Sequence, residues 1–266
     1  MKKKIVVMLL VVSMLAILGG CSQGNNEVSK VEDIKSAGKI VLGTAADYPP
    51  YEFHKLIDGK DEIVGFDIEI AKLIAAELGV ELEIVDMKFE GLLPALVTDD
   101  IDFIVAGMVA DEERSKSVDF SVPYYQAEQK MVVRMSDKDK FMSPEDLVGL
   151  PVGAQKTTIQ EDIAIEKFSQ STYIGISKIT DLVLELQNKK IDAIVLAEPV
   201  ANAYVQQNKE LFMADISLGQ EDGVSVAVNK GNTELLEIIN STLNKLIEDG
   251  TIEKLITEAT ILAEQE

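Results

Sequence analysis

The sequence holds one cysteine (Cys21), one histidine (His54), no tryptophan and two arginines (Arg114 and Arg134). A single thiol excludes an intramolecular disulfide. One Cys and one His together exclude a Cys/His zinc site, while an all-carboxylate metal site stays open. Positive charge is scarce overall: 25 Lys+Arg against 46 Asp+Glu leave a net charge of −21. Phosphate backbones are gripped by basic patches, so nucleic acid is not an expected partner. No motif asks for a cofactor or a resident metal. What remains is 266 residues with 47% apolar content, enough for one large domain or two lobes.

The N-terminus has the form of an export signal. Three lysines precede an apolar run from Ile5 to Leu18, which is shorter than the roughly 20 residues a membrane-spanning helix needs. An uncleaved anchor helix is the alternative. Leu18-Gly19-Gly20-Cys21 resembles a bacterial lipobox, so residues 1–20 are expected to leave and Cys21 to carry lipid. Cleavage removes three lysines and no acid, moving the net charge from −21 to −24. Residues 21–29 are polar and are expected to tether the lipid to the folded part. A tethered domain with no second apolar span suggests capture or sensing at the cell surface.

From about residue 38 short apolar strands alternate with amphipathic helices. Helix 66–78 should bury Ile70, Leu73, Ile74 and Leu78 on one face and stop at Gly79. Ile101–Met108 is a continuous apolar run, expected as a strand covered on both faces. Asp111–Ser117 should begin a helix, and Ser143-Pro144 should open another. Residues 95–108 and 185–198 echo each other, both running through Ile-Asp into an apolar strand. Two such α/β units, with a tail returning to the first, give two lobes and a cleft. Ligands in such sheets lie at the carboxyl ends of strands.

Two of those strand ends stand out. The first leads into Ala45-Ala46-Asp47-Tyr48-Pro49-Pro50-Tyr51-Glu52-Phe53, where rings flank two prolines; the rings can wall a pocket or simply pack. His54 is expected on an exposed turn. Strand 101–108 leads to Arg114, whose planar fork suits a carboxylate. Placement in a first helical turn would add the helix dipole. A surface salt bridge to Glu112 or Glu113 is the alternative, and it is the default for Arg134.

Five segments then carry a resemblance: VGFDIEIAKLIAAELG (64–79), KFEGLLPAL (88–96), AGMVADEERSKSVDFSVPYY (106–125), VGAQKTTIQED (152–162) and IDAIVLAEPVANAY (191–204). In order and spacing they resemble solute-binding proteins of polar amino-acid ABC importers. The resemblance implies an α/β chain with the type II periplasmic-binding-protein fold, two α/β lobes joined by two crossing strands around a central cleft. Lobe one would be 30–125 plus 222–266 and lobe two 126–221, with crossings near 125–131 and 217–224. It also implies roles. Arg114 would grip a ligand carboxylate, and Tyr48 and Phe89 would sandwich the ligand. Gly107 would offer its carbonyl to an α-ammonium, and Gln160 would start the lobe-two helix that meets the carboxylate. Met108, Val109, Ile159, Ala197 and Glu198 fall at further ligand-facing positions.

The departures from the family pattern are informative. Val109 and Ile159 stand where hydroxyls are frequent, and Thr157 where glycine is frequent. Ala197 replaces the usual acid for the ammonium, with Glu198 as a possible substitute. Ala45 replaces an Asp frequent in relatives for basic ligands, which argues against lysine or arginine. The expected protein is a monomeric, lipid-anchored binding protein that closes on an amino acid or related carboxylate and hands it to an ABC permease. A carboxylate lacking the ammonium, a sensory role, or a cyclohexadienyl dehydratase-like enzyme using Glu198 are the alternatives.

Overall fold

The computed structural model describes residues 29–265. The expected leader 1–20, the Cys21 lipid site and the tether, apart from Ser29, lie outside the described residues. Ser29 caps a helix that the sequence reading did not foresee. Its side chain accepts from the Glu32 N–H at 3.2 Å, and α1 runs Lys30–Ala37 to a left-handed Gly38.

The first run continues with β1 (Lys39–Thr44), β2 (Asp47–Tyr48), β3 (Glu52–Ile57), β4 (Lys60–Val64), α2 (Phe66–Leu78), β5 (Glu81–Asp86), α3 (Phe89–Val97), β6 (Phe103–Ile104) and β7 (Val118–Phe120). The second holds β8 (Gln129–Arg134), β9 (Pro151–Gln155), α4 (Ile159–Lys167), β10 (Thr172–Ile176), α5 (Ile179–Gln187), β11 (Ala193–Ala197), α6 (Glu198–Gln207) and β12 (Leu211–Met213). The chain then returns with β13 (Ala227–Asn229) and ends in α7 (Thr233–Glu248) and α8 (Thr251–Glu264).

Two five-stranded sheets result, β5-β1-β6-β13-β7 and β10-β9-β11-β8-β12, beside a three-stranded β2-β3-β4 sheet. Their plans match. β1 pairs in parallel with β5 and β6, as β9 does with β10 and β11. The fourth strand is antiparallel in both, β13 on β6 and β8 on β11. The echo between residues 95–108 and 185–198 is therefore architectural, since β6 and β11 hold equivalent places. Two segments join the sheets and pair with each other. Tyr124 N–H donates to Val224 O at 3.0 Å, Glu221 N–H to Ala127 O at 3.1 Å, and Gln129 N–H to Gly219 O at 2.7 Å. This is the two-lobed, twice-crossed α/β plan that the resemblance implies.

Several local expectations give way. Residues 101–108 form a strand over Phe103–Ile104 alone, because Asp102 turns inward to accept from Val41 N–H at 2.8 Å and Gly107 takes φ +54°. The expected helix at 111–117 shrinks to one 3₁₀ turn, Arg114–Lys116. There the Ser115 and Ser117 hydroxyls bond the Asp111 and Arg114 carbonyls at 2.6 and 3.1 Å, competing with helix propagation. The Ser143-Pro144 opening is likewise one 3₁₀ turn, Pro144–Leu147, with a capping box. Leu73 points to solvent; α2 buries Phe66, Ile70, Ile74 and Leu78 instead, filled in by Ala71 and Ala75. The β3–β4 hairpin was not foreseen, although Asp58-Gly59, both with positive φ, is a strong turn signal. His54 lies on β3 rather than a turn, 3.0 Å from Asp61 and 3.3 Å from Asp86. Arg134 is buried, not on the surface. It is paired with Asp137 at 2.6 Å and with Asp192, and it donates to the Leu186 and Ile191 carbonyls.

Gly65 ties the aromatic turn to α2. With φ +132°, a Cβ there would stand 2.0 Å from the Tyr51 carbonyl oxygen. That oxygen accepts from the Asp67 N–H at 3.0 Å, so neither partner can retreat. Gly65→Ala is expected to cost about 3 kcal/mol and roughly 5–10 °C in Tm. Gly38→Ala, where nothing lies within 4 Å, should cost about 1 kcal/mol. Equal losses in thermal melts would refute the backbone clash.

Candidate functional site

The carboxyl ends of β1 and β6 meet the N-terminus of α4 across a narrow cleft. From the first lobe it is lined by Ala45, Asp47, Tyr48, Glu52, Phe89, Gly107, Val109 and Arg114, and from the second by Gln155, Thr158, Ile159 and Gln160. The structure thus gathers Tyr48, Phe89, Gly107, Val109, Arg114, Ile159 and Gln160 at one place. It does not bring Met108, Ala197 or Glu198 to the cleft lining. Met108 is fully buried among Leu92, Ile104 and Val118, because the φ +54° at Gly107 turns the chain. Ala197 ends β11 inside the core. Glu198 opens α6 and faces a separate groove beside Pro50, Tyr125 and Ile256.

Arg114 is 9% exposed. Its Nη1 donates to Val109 O at 2.6 Å, its Nη2 crosses the cleft to Thr157 O at 2.8 Å, and its Nε lies 3.0 Å from Asp111. The expected partners Glu112 and Glu113 take no part. Asp111 also accepts from the Arg114 N–H at 2.7 Å, so a local turn, not a long helix, orients the side chain. Burial lowers the guanidinium pKa below its ordinary value. The Phe89 ring lies under it, 5.6 Å from Cζ to centroid. Thr157 presents its carbonyl from a left-handed conformation, φ +61°.

The opposite wall is acidic, and sequence reasoning missed it. Glu52 is fully buried and meets no N–H or hydroxyl donor among the described residues; its carboxyl lies within hydrogen-bonding reach of Asp67. Its acidic neighbour Asp67 accepts from Gly107 N–H at 2.8 Å and from Tyr124 Oη at 2.9 Å. Burial, then the Asp67 charge, pushes Glu52 well above the usual carboxylate range. Burial raises Asp67 to about 6 against its backbone and tyrosine donors. Asp47 is raised to about 6, again by burial, although the Ile179 N–H bonds its carboxylate. The available signal was an acid set between rings in Tyr51-Glu52-Phe53, two residues after the proline pair. Tyr51 and Phe53 themselves pack, as Tyr51 stacks on Tyr48, Phe66 and Tyr125 at 4.5–6.0 Å.

The lobes touch. Asp47 accepts from Ile179 N–H at 2.7 Å with its carboxylate and from Tyr204 Oη at 2.8 Å with its carbonyl. Ser177 Oγ donates to Glu90 at 2.7 Å. The α5 cap residue, Lys178, makes no side-chain cap bond, so a first-lobe acid caps a second-lobe helix. Among the described residues no group of His, Cys, Asp and Glu has the placement to hold a metal ion, and no helix is long and apolar enough to cross a membrane.

Comparison with known proteins gives a consistent picture. The model of bacterial extracellular solute-binding proteins, family 3, matches residues 40–259. An arginine-binding extracellular protein of Bacillus subtilis is 36% identical over 222 residues, 82% of this chain and 84% of that protein. An amino-acid ABC transporter substrate-binding protein of Streptococcus pneumoniae, solved with L-arginine, superposes with a TM-score of 0.86 at 40% identity. The match covers 88% of this chain and 100% of that one. An ancestral amino-acid-binding protein, a precursor of cyclohexadienyl dehydratase, gives a TM-score of 0.80 at 34% identity over 87% of this chain and 100% of that one.

The buried acids set a pH dependence. Asp47, Asp67 and Glu221 have folded pKa values of about 6, 6 and 7, above their ordinary values. Their contribution to stability is full below the ordinary values near 4 and is lost as pH rises through 6–7. The ligand-free protein should therefore melt roughly 5 °C higher at pH 5.5 than at pH 8. Asp67→Asn should flatten that slope, and a melting curve that rises toward pH 8 would contradict the assignment.

Proposed function

The chain belongs to the bacterial extracellular solute-binding proteins, family 3, and on that premise we propose that it captures L-arginine, or a closely similar cationic amino acid, for an ABC importer. The observation that carries this reading is Glu52, a fully buried carboxyl with no N–H or hydroxyl donor beside it among the described residues, in the cleft that also holds Arg114. A cleft with a cation at one wall and buried acids at the other complements a zwitterion with a basic side chain.

The ligand carboxylate binds the Arg114 fork. The apolar stem lies between Tyr48 and Phe89. The side-chain cation meets Glu52, with Asp47 and Asp67 adding negative potential. The acid absent at Ala45 is thus supplied from position 52, and the argument against a basic ligand gives way. With Ala197 in the core and Glu198 outside the lining, the α-ammonium relies on the backbone carbonyl at Gly107. Binding draws the lobes together, and the closed form is what the permease meets.

The remaining assignments follow from the same reading. Residues 1–20 are the leader, Cys21 carries the lipid, and residues 21–29 tether a monomer to the outer face of the membrane. The lobes divide as 30–125 plus 222–266 and 126–221. The reading is of a binding protein rather than an enzyme, supported by the absence of Glu198, the candidate general acid, from the cleft lining.

Calorimetry with arginine, lysine, glutamine, citrulline and 2-oxo-5-guanidinopentanoate tests the reading. Arginine should bind tightest. Arg114→Ala should lose about 100-fold or more, and Glu52→Gln about 10–100-fold for arginine. Tighter binding of glutamine would overturn the cationic assignment, and equal binding of the 2-oxo acid would show that the ammonium is not read. Because burial raises the Glu52 pKa and an incoming cation lowers it again, arginine binding should be accompanied by proton release, measured as the dependence of enthalpy on buffer ionisation. No release would remove Glu52 from that role.

A further inference from the structure

A chain of hydrogen bonds runs from the hinge to the cleft, and its polarity is fixed at one end. Glu221 lies on the second crossing segment and is buried. Its Oε1 accepts from Ala127 N–H at 3.1 Å on the first crossing, and its Oε2 accepts from Gln129 Nε2 at 2.8 Å. Gln129 Oε1 accepts from Gln160 Nε2 at 2.8 Å, and the same Nε2 lies 3.4 Å from Tyr48 Oη. Gln129 and Glu221 are absent from the cleft lining, whereas Gln160 and Tyr48 belong to it.

An ionised carboxylate can only accept. Gln129 must therefore turn its NH₂ toward Glu221 and its carbonyl oxygen toward Gln160. Gln160 must then spend its NH₂ on Gln129 and Tyr48. What it has left is Oε1, an acceptor. Reversing Gln129 would set its carbonyl oxygen against the carboxylate and NH₂ against NH₂, and reversing Gln160 would set carbonyl oxygen against carbonyl oxygen, inside a buried site.

We propose that Glu221 is a specificity-determining positioning residue: through Gln129 it holds the Gln160 amide so that the cleft is offered an acceptor, selecting ligands that present N–H at that point. This rests on the reading of the cleft as a site for a cationic amino acid. Citrulline is the discriminating probe, because a urea carbonyl oxygen replaces one guanidinium nitrogen of arginine at nearly the same shape.

Glu221→Gln is isosteric and can donate as well as accept, so it permits the whole chain to invert. Binding of arginine and citrulline is measured by calorimetry at pH 8.5, where wild-type Glu221 is ionised. The wild type should favour arginine strongly. In E221Q citrulline affinity should rise about tenfold while arginine affinity falls. Because citrulline is a zwitterion whose carboxylate also feels the Glu221 charge, the relay is separated from simple electrostatics by a variant that keeps that charge. Gln129→Met breaks the relay and keeps the Glu221 charge; citrulline affinity should rise there too, and E221Q added to Q129M should bring no further gain. Citrulline affinity that is unchanged or lower in both single variants, with melting temperatures preserved, overturns the proposal, as does an additive gain in the double variant.

The relay also has a readout independent of the ligand. In the wild type the Gln160 side-chain NH₂ protons should show nuclear Overhauser contacts to the Tyr48 ring, and E221Q should weaken them. A wild type that binds another amino acid but shows this change refutes the arginine reading and supports the relay. Contacts insensitive to E221Q refute the relay whatever the ligand.

Discussion

Taking an arginine side chain almost out of water removes its hydration shell, and the fold must replace that shell group by group. Around Arg114 the replacements are two backbone carbonyls, Val109 O and Thr157 O, and one half-exposed carboxylate, Asp111. Carbonyls satisfy N–H donors without cancelling the charge. The guanidinium where the cleft floor meets α4 is therefore countered by one contacting acid, Asp111, at 3.0 Å. Several otherwise odd features serve that arrangement. Residues 105–109 leave the sheet so that Val109 O can face inward. Thr157 accepts a left-handed backbone, at a cost of about 1 kcal/mol for a non-glycine residue, and so delivers its carbonyl from the other lobe. The Ser115 and Ser117 hydroxyls stop the helix that would carry the side chain away.

The acidic wall obeys the same logic with the sign reversed. Asp67 is held by a backbone N–H and a tyrosine hydroxyl, so its charge is supported. Glu52 beside it meets no N–H donor among the described residues, and burial with the neighbouring Asp67 charge raises its pKa. A cation at that wall would favour its ionised form. The acids form no part of the Arg114 surroundings, whose charged neighbours are Asp111 and Asp162.

Much of this plan was legible in the sequence. The α/β alternation, the internal echo at Ile101 and Ile191, and the turn from β6 to Arg114 all follow from apolar periodicity and punctuation. Of the ten expected ligand residues, seven line one cleft, six of them from the five family-like segments and Tyr48 from the proline turn. What escaped has physical causes. Ala197 and Glu198 sit where β11 passes into α6, and a change of periodicity decides which side chain faces inward; the strand's last residue went to the core and the next one outward. Glu52 and Asp47 were hidden because an acid in a strand usually marks solvent. Their burial depends on β2 and β3 folding back over α2, and that rests on the Gly65 contact with Tyr51, a tertiary fact. Arg134 was misjudged for the same reason, since its partners Asp192 and Leu186 lie far along the chain.

The contacts between lobes show why closure should depend on a ligand at all. Three second-lobe donors, the Ile179 N–H and the Ser177 and Tyr204 hydroxyls, fall on first-lobe acceptors at Asp47 and Glu90, and Gln207 donates to Ala263 O at 2.9 Å on the outer side. Each of these groups returns to water when the lobes part, so each bond contributes only about 0.5–1.5 kcal/mol net. Against that stand the ordering of the interface and the burial of Asp47, whose raised pKa records part of the cost. Terms of that size nearly cancel. The closed form is shaped by these contacts but not secured by them, and the margin is left to whatever joins Arg114 to the acidic wall.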